Sequence, residues 1–358
     1  MQTTQLLYVL HSGNLFGTER MALATLDGLR QHFHPVLLAP PGPVHQAAEQ
    51  MGIDSYVFTG SLNLLKQLPQ FLKNHTQVAL CATGVSHSLL FLLLNLHYRL
   101  RNVHLHLTHG GTDEKLSYGK KKFLNRLPIT LIAVSEFVKS RLLAHGVAEG
   151  KIKILENFLP DNQIQQAPKR TAYKLTGIKK VLVISRIDPI KRVDLLLDAL
   201  SLEHGLQNLE IRILGTGWDL EKLRLHAREN HPNVTFVGFS DQVPLELSQS
   251  DLLLHLCPEE PFGLAILEAM AAKVLVLVPD QGGAANLIPF VTDPKQALGI
   301  HFKANDPNDL AHKLLSLQTM GAKQLNKMVD GAYQHLWEHY SSRARLADYQ
   351  AQFAEIES

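Results

Sequence analysis

Short apolar runs recur along the first part of the chain, at 5–10, 34–39, 77–81, 103–108 and 129–134, and stretches of helical periodicity such as 20–26 and 137–143 fill the gaps between them. Strand-length runs alternating with helical ones leave little choice of architecture. A parallel partner strand can be reached only by a long crossover, and a helix is the usual one. Around 157–178 the pattern lapses into Asn, Pro, Gln, Asp and Lys, which reads as a linker. A second series follows: strands at 181–184, 209–214, 234–237, 252–256 and 274–278, with helices over 193–200, 219–230 and onward from Gly263. The expected fold class is therefore α/β, two doubly wound Rossmann-like domains facing across a cleft. The expected divisions are 1–165, 175–335 and a terminal helix over 336–358. The last helical stretch, roughly 330–356, has a C-terminal half rich in Arg, Asp, Gln and Glu and is expected on the surface, with the terminal helix packing back toward the first domain. Ligands of such sheets lie beyond the carboxyl ends of the strands.

Length permits this arrangement: 358 residues, 45% hydrophobic and 19% charged, suffice for two ordinary cores. Cys81 and Cys257 are too few for a disulfide framework and both lie in apolar runs, so buried thiols and a reducing compartment are expected. Residues 1–10 lack a basic region ahead of the first apolar run and read as a buried strand, not a signal peptide. No run approaches the roughly 18 apolar residues of a spanning helix. A cytoplasmic protein is expected. A net charge of +2 gives no support for nucleic-acid binding.

The segment richest in chemistry is Glu260-Pro-Phe-Gly-Leu-Ala-Ile-Leu-Glu268, two carboxylates eight apart around a loop that turns into a helix at Gly263. A helix N-terminus offers unpaired amides and a positive dipole end, which seat a phosphate. The neighbouring glutamates would repel that phosphate, so their partners are expected to be hydroxyl donors. A ligand with both is a nucleotide sugar. Some 75 residues earlier, the strand at 181–184 ends in Ser185-Arg186-Ile187-Asp188-Pro189-Ile190-Lys191. Arg186 and Lys191 there suit a diphosphate, one by planar bidentate hydrogen bonding and the other as a point charge. No two aspartates are separated by one residue, so an Asp-x-Asp metal site is absent and no metal or other cofactor is expected. Phosphate-loop and zincin motifs are also absent. Gly215-Thr216-Gly217 has no third glycine and reads first as a tight strand-to-helix turn.

In the first domain, Gly13–Glu19 joins the first strand to the first helix, with Thr18 as the expected N-cap and Gly17 open to close approach by a ligand. His109 ends the strand at 103–108 and precedes Gly110-Gly111, at the edge where a cleft would open. His104 and His106, on the same strand, read as structural. The apolar run at 89–94 is followed, between 99 and 126, by seven Lys or Arg against two acidic residues. This combination reads as a helix buried on the sheet plus a solvated basic loop, or as a docking surface for an anionic membrane.

These residues resemble the GT-B glycosyltransferases of the large retaining group called family 4. Glu260–Ala271 is similar to that family's Glu-x7-Glu signature. Ala133-Val-Ser-Glu136 through Lys151–Asn157 is similar to the end of its first domain, and Ser185-Arg186-Ile187 to Lys191 to its diphosphate loop. Val234–Gly238 and Gly282-Gly283 fall in the family's order. The chain departs from the pattern at Lys273 and Ser185, where members commonly have glycine, at Asn157-Phe158, and at Gly17-Thr18 in place of a glycine pair.

The resemblance implies that Arg186 and Lys191 hold the donor diphosphate, Glu268 the ribose and Glu260 the donor sugar, with Phe262, Gly263 and Leu264 contacting the sugar and distal phosphate. Gly17 and Gly238 would also line the donor site, and His109 would support the transferring sugar. It implies a metal-independent hexosyltransferase that retains anomeric configuration. The donor would be a nucleotide-diphosphate sugar and the acceptor a glycan, lipid or small molecule, with the first domain binding the acceptor, possible peripheral membrane contact and no nucleic acid. Polysaccharide or glycoconjugate biosynthesis would be the setting. A nucleotide-sugar epimerase of the same architecture and a noncatalytic nucleotide-sugar-binding protein remain open alternatives.

Overall fold

A computed structural model describes residues 4–72, 77–99, 101–111, 114–293 and 296–354. Residues 1–3 of the expected first segment, Leu100, Thr112 and Asp113 of the basic stretch, and residues 355–358 of the terminal helix lie outside them. The chain divides into two compact units, Met1–Phe158 with Ser342–Ser358, and Leu159–Ser341.

The first unit is a seven-stranded parallel sheet of β1 (Thr4–Val9), β2 (Phe33–Ala39), β3 (Asp54–Val57), β4 (Gln77–Ala82), β5 (Arg101–Thr108), β6 (Thr130–Ala133) and β7 (Ile152–Ile154), in the order β3-β2-β1-β4-β5-β6-β7. The second is a six-stranded parallel sheet of β8 (Lys180–Ile184), β9 (Glu210–Leu214), β10 (Val234–Gly238), β11 (Leu252–Leu254), β12 (Leu275–Pro279) and β13 (Ile300–Phe302), in the order β10-β9-β8-β11-β12-β13. Each order reverses direction once, between β1 and β4 and between β8 and β11. This is the doubly wound arrangement expected from the alternation. Central strands such as β12 are unbroken apolar runs because helices cover both faces of a parallel sheet. The strands not expected from the sequence, β3, β7 and β13, are edge strands of three or four residues. An edge strand pairs on one side only, and so carries little apolar signature.

The expected linker is not a loose connection. Phe158, Leu159, Ile164, Tyr173 and Ile178 are all buried. Asp251 gathers the segment: it pairs with Arg170 and accepts the backbone N–H groups of Lys179 and Lys180 at 2.7 and 2.9 Å, while Arg170 lies 3.6 Å over the Tyr173 ring. Polar composition concealed this because the anchors are single aromatic or aliphatic residues spaced widely apart.

The terminal stretch is two helices, Ala322–His339 in the second unit and Ser342–Ala354 in the first. The latter is a surface helix, as its charged residues suggested, with one buried face. Tyr349 and Phe353 are fully buried, Tyr349 edge-on to Phe158 at 5.5 Å and Phe353 edge-on to Phe33 at 6.2 Å. Arg345 pairs with Glu156. The C-terminus thus completes the core of the unit that the N-terminus begins. Truncating Phe353 to Ala should cost about 3–5 kcal/mol, the usual penalty for emptying a buried aromatic site. Urea unfolding should show an earlier transition for the first unit, and an unchanged midpoint would contradict this packing.

Candidate functional site

In the second unit the loops after β8 and β11 flank the point where strand order reverses, the place where doubly wound sheets open a crevice. Lys191 comes from the first loop and Glu260 from the second. The Lys191 ammonium donates to the Glu260 carboxylate at 2.7 Å, and both side chains are only 17% exposed. Burial works against both charges. Even so, the carboxylate beside it holds Lys191 above the ordinary lysine range, and Lys191, with the Phe262 N–H, holds Glu260 below the ordinary carboxylate range. The pair is therefore ionised at neutral pH.

His255, at the end of β11, has its Nε2 3.7 Å from the same carboxylate. That is too long for a hydrogen bond. Burial pushes its pKa down to about 4, so it is a neutral neighbour and not a second counter-ion. Arg186 is half exposed and pairs at 2.9 Å with the buried Asp188. Asp188 also accepts the Trp218 N–H at 3.3 Å, tying the β8 loop to the β9 loop. Two glycines make this closeness possible. A Cβ on Gly215, whose φ is +136°, would lie 1.8 Å from the Ser185 carbonyl oxygen, and one on Gly283 would lie 2.1 Å from that of Pro261. The Gly215–Gly217 turn is thus a strap that fixes the Arg186 loop, with Ile187 N–H donating to the Thr216 carbonyl at 2.9 Å.

The helix Leu264–Ala271 begins at Gly263, which is left-handed at φ 106°, and Phe262 is buried against Tyr340. Its first-turn amides follow Glu260 by only a few residues. Glu268 lies one turn further and is partly buried. Gly238, left-handed at φ 86°, ends β10 and accepts the Gly215 N–H at 2.7 Å. Arg186, Lys191, Gly238, Glu260, Phe262, Gly263, Leu264 and Glu268 thus all belong to one end of the second unit's sheet or the helix leaving it.

Gly17 and His109 belong to the first unit. Gly17 opens the helix Gly17–Leu29. Its N-cap is Phe16, not Thr18, because the buried Glu19 carboxylate reaches back to accept the Phe16 N–H at 3.0 Å. His109 follows β5 and lines a cavity of 640 Å³ at the first sheet's own reversal point. There His11, after β1, meets Thr83, after β4, with its backbone N–H 3.0 Å from the hydroxyl. Lys121, the middle of three lysines, also lines the cavity and is buried. Sequence reasoning singled out neither His11, Lys121, Asp188 nor His255. For His255 the position after a strand was a usable signal; for Lys121 only the fold could single out one lysine of three.

The run at 89–94 lies in the helix Val85–Tyr98, which packs Phe91 and Leu94 on the sheet and exposes Leu89, Leu93 and Leu96. Both cysteines are free and buried. No described helix is long and apolar enough to cross a membrane.

Two parallel α/β units, each with polar loops at its reversal point, are the architecture of the GT-B fold. Anabaena HepE, solved in complex with UDP, superposes with a TM-score of 0.80 over 97% of this chain and 99% of that one, at 17% identity. Residues 166–335, most of the second unit, match the family described as glycosyl transferases group 1, and the fold is that of the GT-B structures. Among curated proteins it is similar to the lipopolysaccharide 1,6-galactosyltransferase of Escherichia coli K12, 29% identical over 44% of this chain and 45% of that protein. It is also similar to a GDP-mannose-dependent α-(1-6)-phosphatidylinositol monomannoside mannosyltransferase of Mycobacterium tuberculosis, 29% identical over 43% of this chain and 45% of that one. The matches thus span a little under half the length of these relatives.

Burial holds His87 and His104 at pKa values of about 4 and His109 at about 3, with His106 also well below the ordinary value of 6.5. The unfolded chain takes up protons below pH 6.5 that the native state refuses until about pH 4. Stability therefore falls as pH falls through that window, at about 1.4 kcal/mol per pH unit for each such histidine. Melting temperatures measured from pH 8 to 4.5 should be flat above pH 7 and drop steeply below 6. A level profile down to pH 4.5 would show that these imidazoles are not buried neutral.

Proposed function

We propose that this chain is a retaining glycosyltransferase that moves a hexose-like sugar from a nucleotide-diphosphate donor to an acceptor hydroxyl without a bound metal. The observation that carries the reading is the ionised Lys191–Glu260 pair at the reversal point of the second sheet, next to the tip of the helix Leu264–Ala271. A phosphate arriving there meets an ammonium and first-turn amides, with the Arg186 guanidinium on the same loop as the ammonium. A carboxylate held as the anion by that lysine is a ready acceptor for sugar hydroxyls. Charge building on the departing diphosphate is met by cations already in position, the main source of rate acceleration available to such a site.

By the family resemblance, Glu268 takes the ribose hydroxyls, Phe262, Gly263 and Leu264 contact sugar and distal phosphate, and Gly238 lines the donor site. Gly17 and His109 serve the same donor from the first unit, which also takes the acceptor. The acceptor hydroxyl attacks from the face the diphosphate leaves, and the departing phosphate takes its proton. Configuration at the anomeric carbon is then kept. HepE with UDP and the GDP-mannose-dependent relative support a nucleotide donor of this kind. Exposed Leu89, Leu93 and Leu96 near the basic stretch favour peripheral contact with an anionic membrane on the cytoplasmic side.

Arg186→Ala and Lys191→Ala should each lower transfer about 10²–10³-fold, the usual effect of removing one donor from a developing anion. Arg186 is half exposed, so its variant should fold normally; Lys191→Ala strands a buried carboxylate and needs a circular dichroism check. EDTA should leave the rate unchanged. A thermal-shift screen of UDP, GDP and ADP sugars selects the donor for these assays. Near-normal rates in the Arg186 variant, or isomerised donor without any acceptor, would overturn the reading.

A further inference from the structure

The cavity at the reversal point of the first sheet contains a cation that the described residues leave without a counter-charge. Lys121 is 7% exposed, and its ammonium donates to the Leu116 carbonyl at 3.0 Å. No carboxylate among the described residues lies within ion-pair distance of it. Its other neighbours supply no counter-charge: Lys120 repels it, and burial keeps His11 and His109 neutral at pH 7. Burial, with Lys120 adding to it, draws Lys121 down to about 8, so at neutral pH it is still mostly charged. A buried charge in this state costs stability unless something compensates it.

Three further features of the same cavity point to what that is. The Thr108 hydroxyl, on a residue 3% exposed, and His109 Nε2 have no hydrogen-bond partner among the described residues, and both residues line the space. The 14-residue helix Val85–Tyr98 starts there, and its N-cap is Gly84, which has no side chain to satisfy the first-turn amides. Its dipole adds positive potential at that end. Lys121, Thr108, His109 and the helix start all line one space, and the ammonium is engaged there by the Leu116 carbonyl.

We infer that this cavity binds an ionised phosphate or carboxylate group of the acceptor, with Lys121 as its counter-ion and Thr108 and the start of the helix Val85–Tyr98 as hydrogen-bond donors. The inference rests on the transferase reading only for the word acceptor; the anion site stands on the cavity itself. It deepens that reading by giving the acceptor a charge. Substrates carrying a uronic acid or a phosphate near the attacking hydroxyl fit; their neutral counterparts leave Lys121 uncompensated.

Matched probes test this on the full chain by calorimetric titration: methyl α-D-glucuronide against methyl α-D-glucoside, and glycerol 3-phosphate against glycerol. The charged member of at least one pair should bind ten-fold or more tightly than its neutral twin. Lys121→Met should erase that preference, leave UDP binding unchanged and hold or raise the melting temperature, because a buried uncompensated charge is gone. Thr108→Val, a smaller change, should weaken the charged ligand several-fold. Vesicles containing phosphatidic acid separate the sources of the anion. Lys121-dependent vesicle binding without soluble-probe binding assigns the anion to a lipid headgroup, and soluble binding assigns it to a free acceptor. Equal binding of charged and neutral probes with no Lys121-dependent vesicle binding overturns the inference, as does a Lys121→Met protein that keeps the preference. A protein that binds the charged probe through Lys121 yet has no affinity for any nucleotide sugar keeps this site and sinks the transferase reading instead.

Discussion

A lysine and a glutamate buried together at the end of a parallel sheet set the terms for the second unit. Neither charge could stay at that depth alone, because desolvation of a single ion costs several kcal/mol. Held 2.7 Å apart, each keeps the other ionised. The surrounding backbone is arranged to bring their two loops to this distance: the Gly215 turn packs on Ser185, and Gly283 packs on Pro261 and donates its N–H to the Glu260 carbonyl at 2.7 Å. The loop conformations and the ion pair therefore depend on each other. The strand order explains why the pair occurs here, since only at the reversal point do two adjacent strands send their following helices to opposite faces and leave a gap.

The alternation of apolar runs carried the fold class because buried parallel strands are apolar on both faces, a pattern that survives in any reading frame of the pleat. What it missed were β3, β7 and β13, whose one-sided pairing demands less of their side chains. Residues 157–178 misled for the opposite reason. Five buried aromatic and aliphatic residues hold that segment in place, and their polar surroundings hid them. The charged terminal helix concealed Tyr349 and Phe353 in the same way.

At the site, what the sequence made legible was chemistry that a motif concentrates locally: Glu260 and Glu268 with a helix start between them, Arg186 and Lys191 on one loop. Pairings across loops were not legible. That Lys191 belongs to Glu260 follows from strand order, which no short segment encodes, whereas Arg186 and Asp188 pair within one loop. Lys273 illustrates a departure that the structure accounts for. It adopts a left-handed backbone at φ 56°, where glycine would be unstrained. Its side chain pairs with Asp330 at 2.8 Å and lies 5.2 Å over the Tyr333 ring. Those contacts offset the modest backbone cost.

The two reversal points solve the same electrostatic problem in different ways. In the second unit the buried cation has its counter-ion built in, so the site is charged but balanced, and an arriving diphosphate must compete with Glu260 for the ammonium. In the first unit Lys121 has, among the described residues, only a carbonyl, and the nearby imidazoles are kept neutral by burial. A neutral histidine can donate or accept but adds no repulsion to an anion, whereas a protonated one would further raise the cost of burying Lys121. Keeping those rings uncharged therefore lets a single lysine remain cationic at depth. The same burial that gives the first unit its sensitivity to acid is what leaves Lys121, among the described residues, a positive charge without a counter-ion beside an open space.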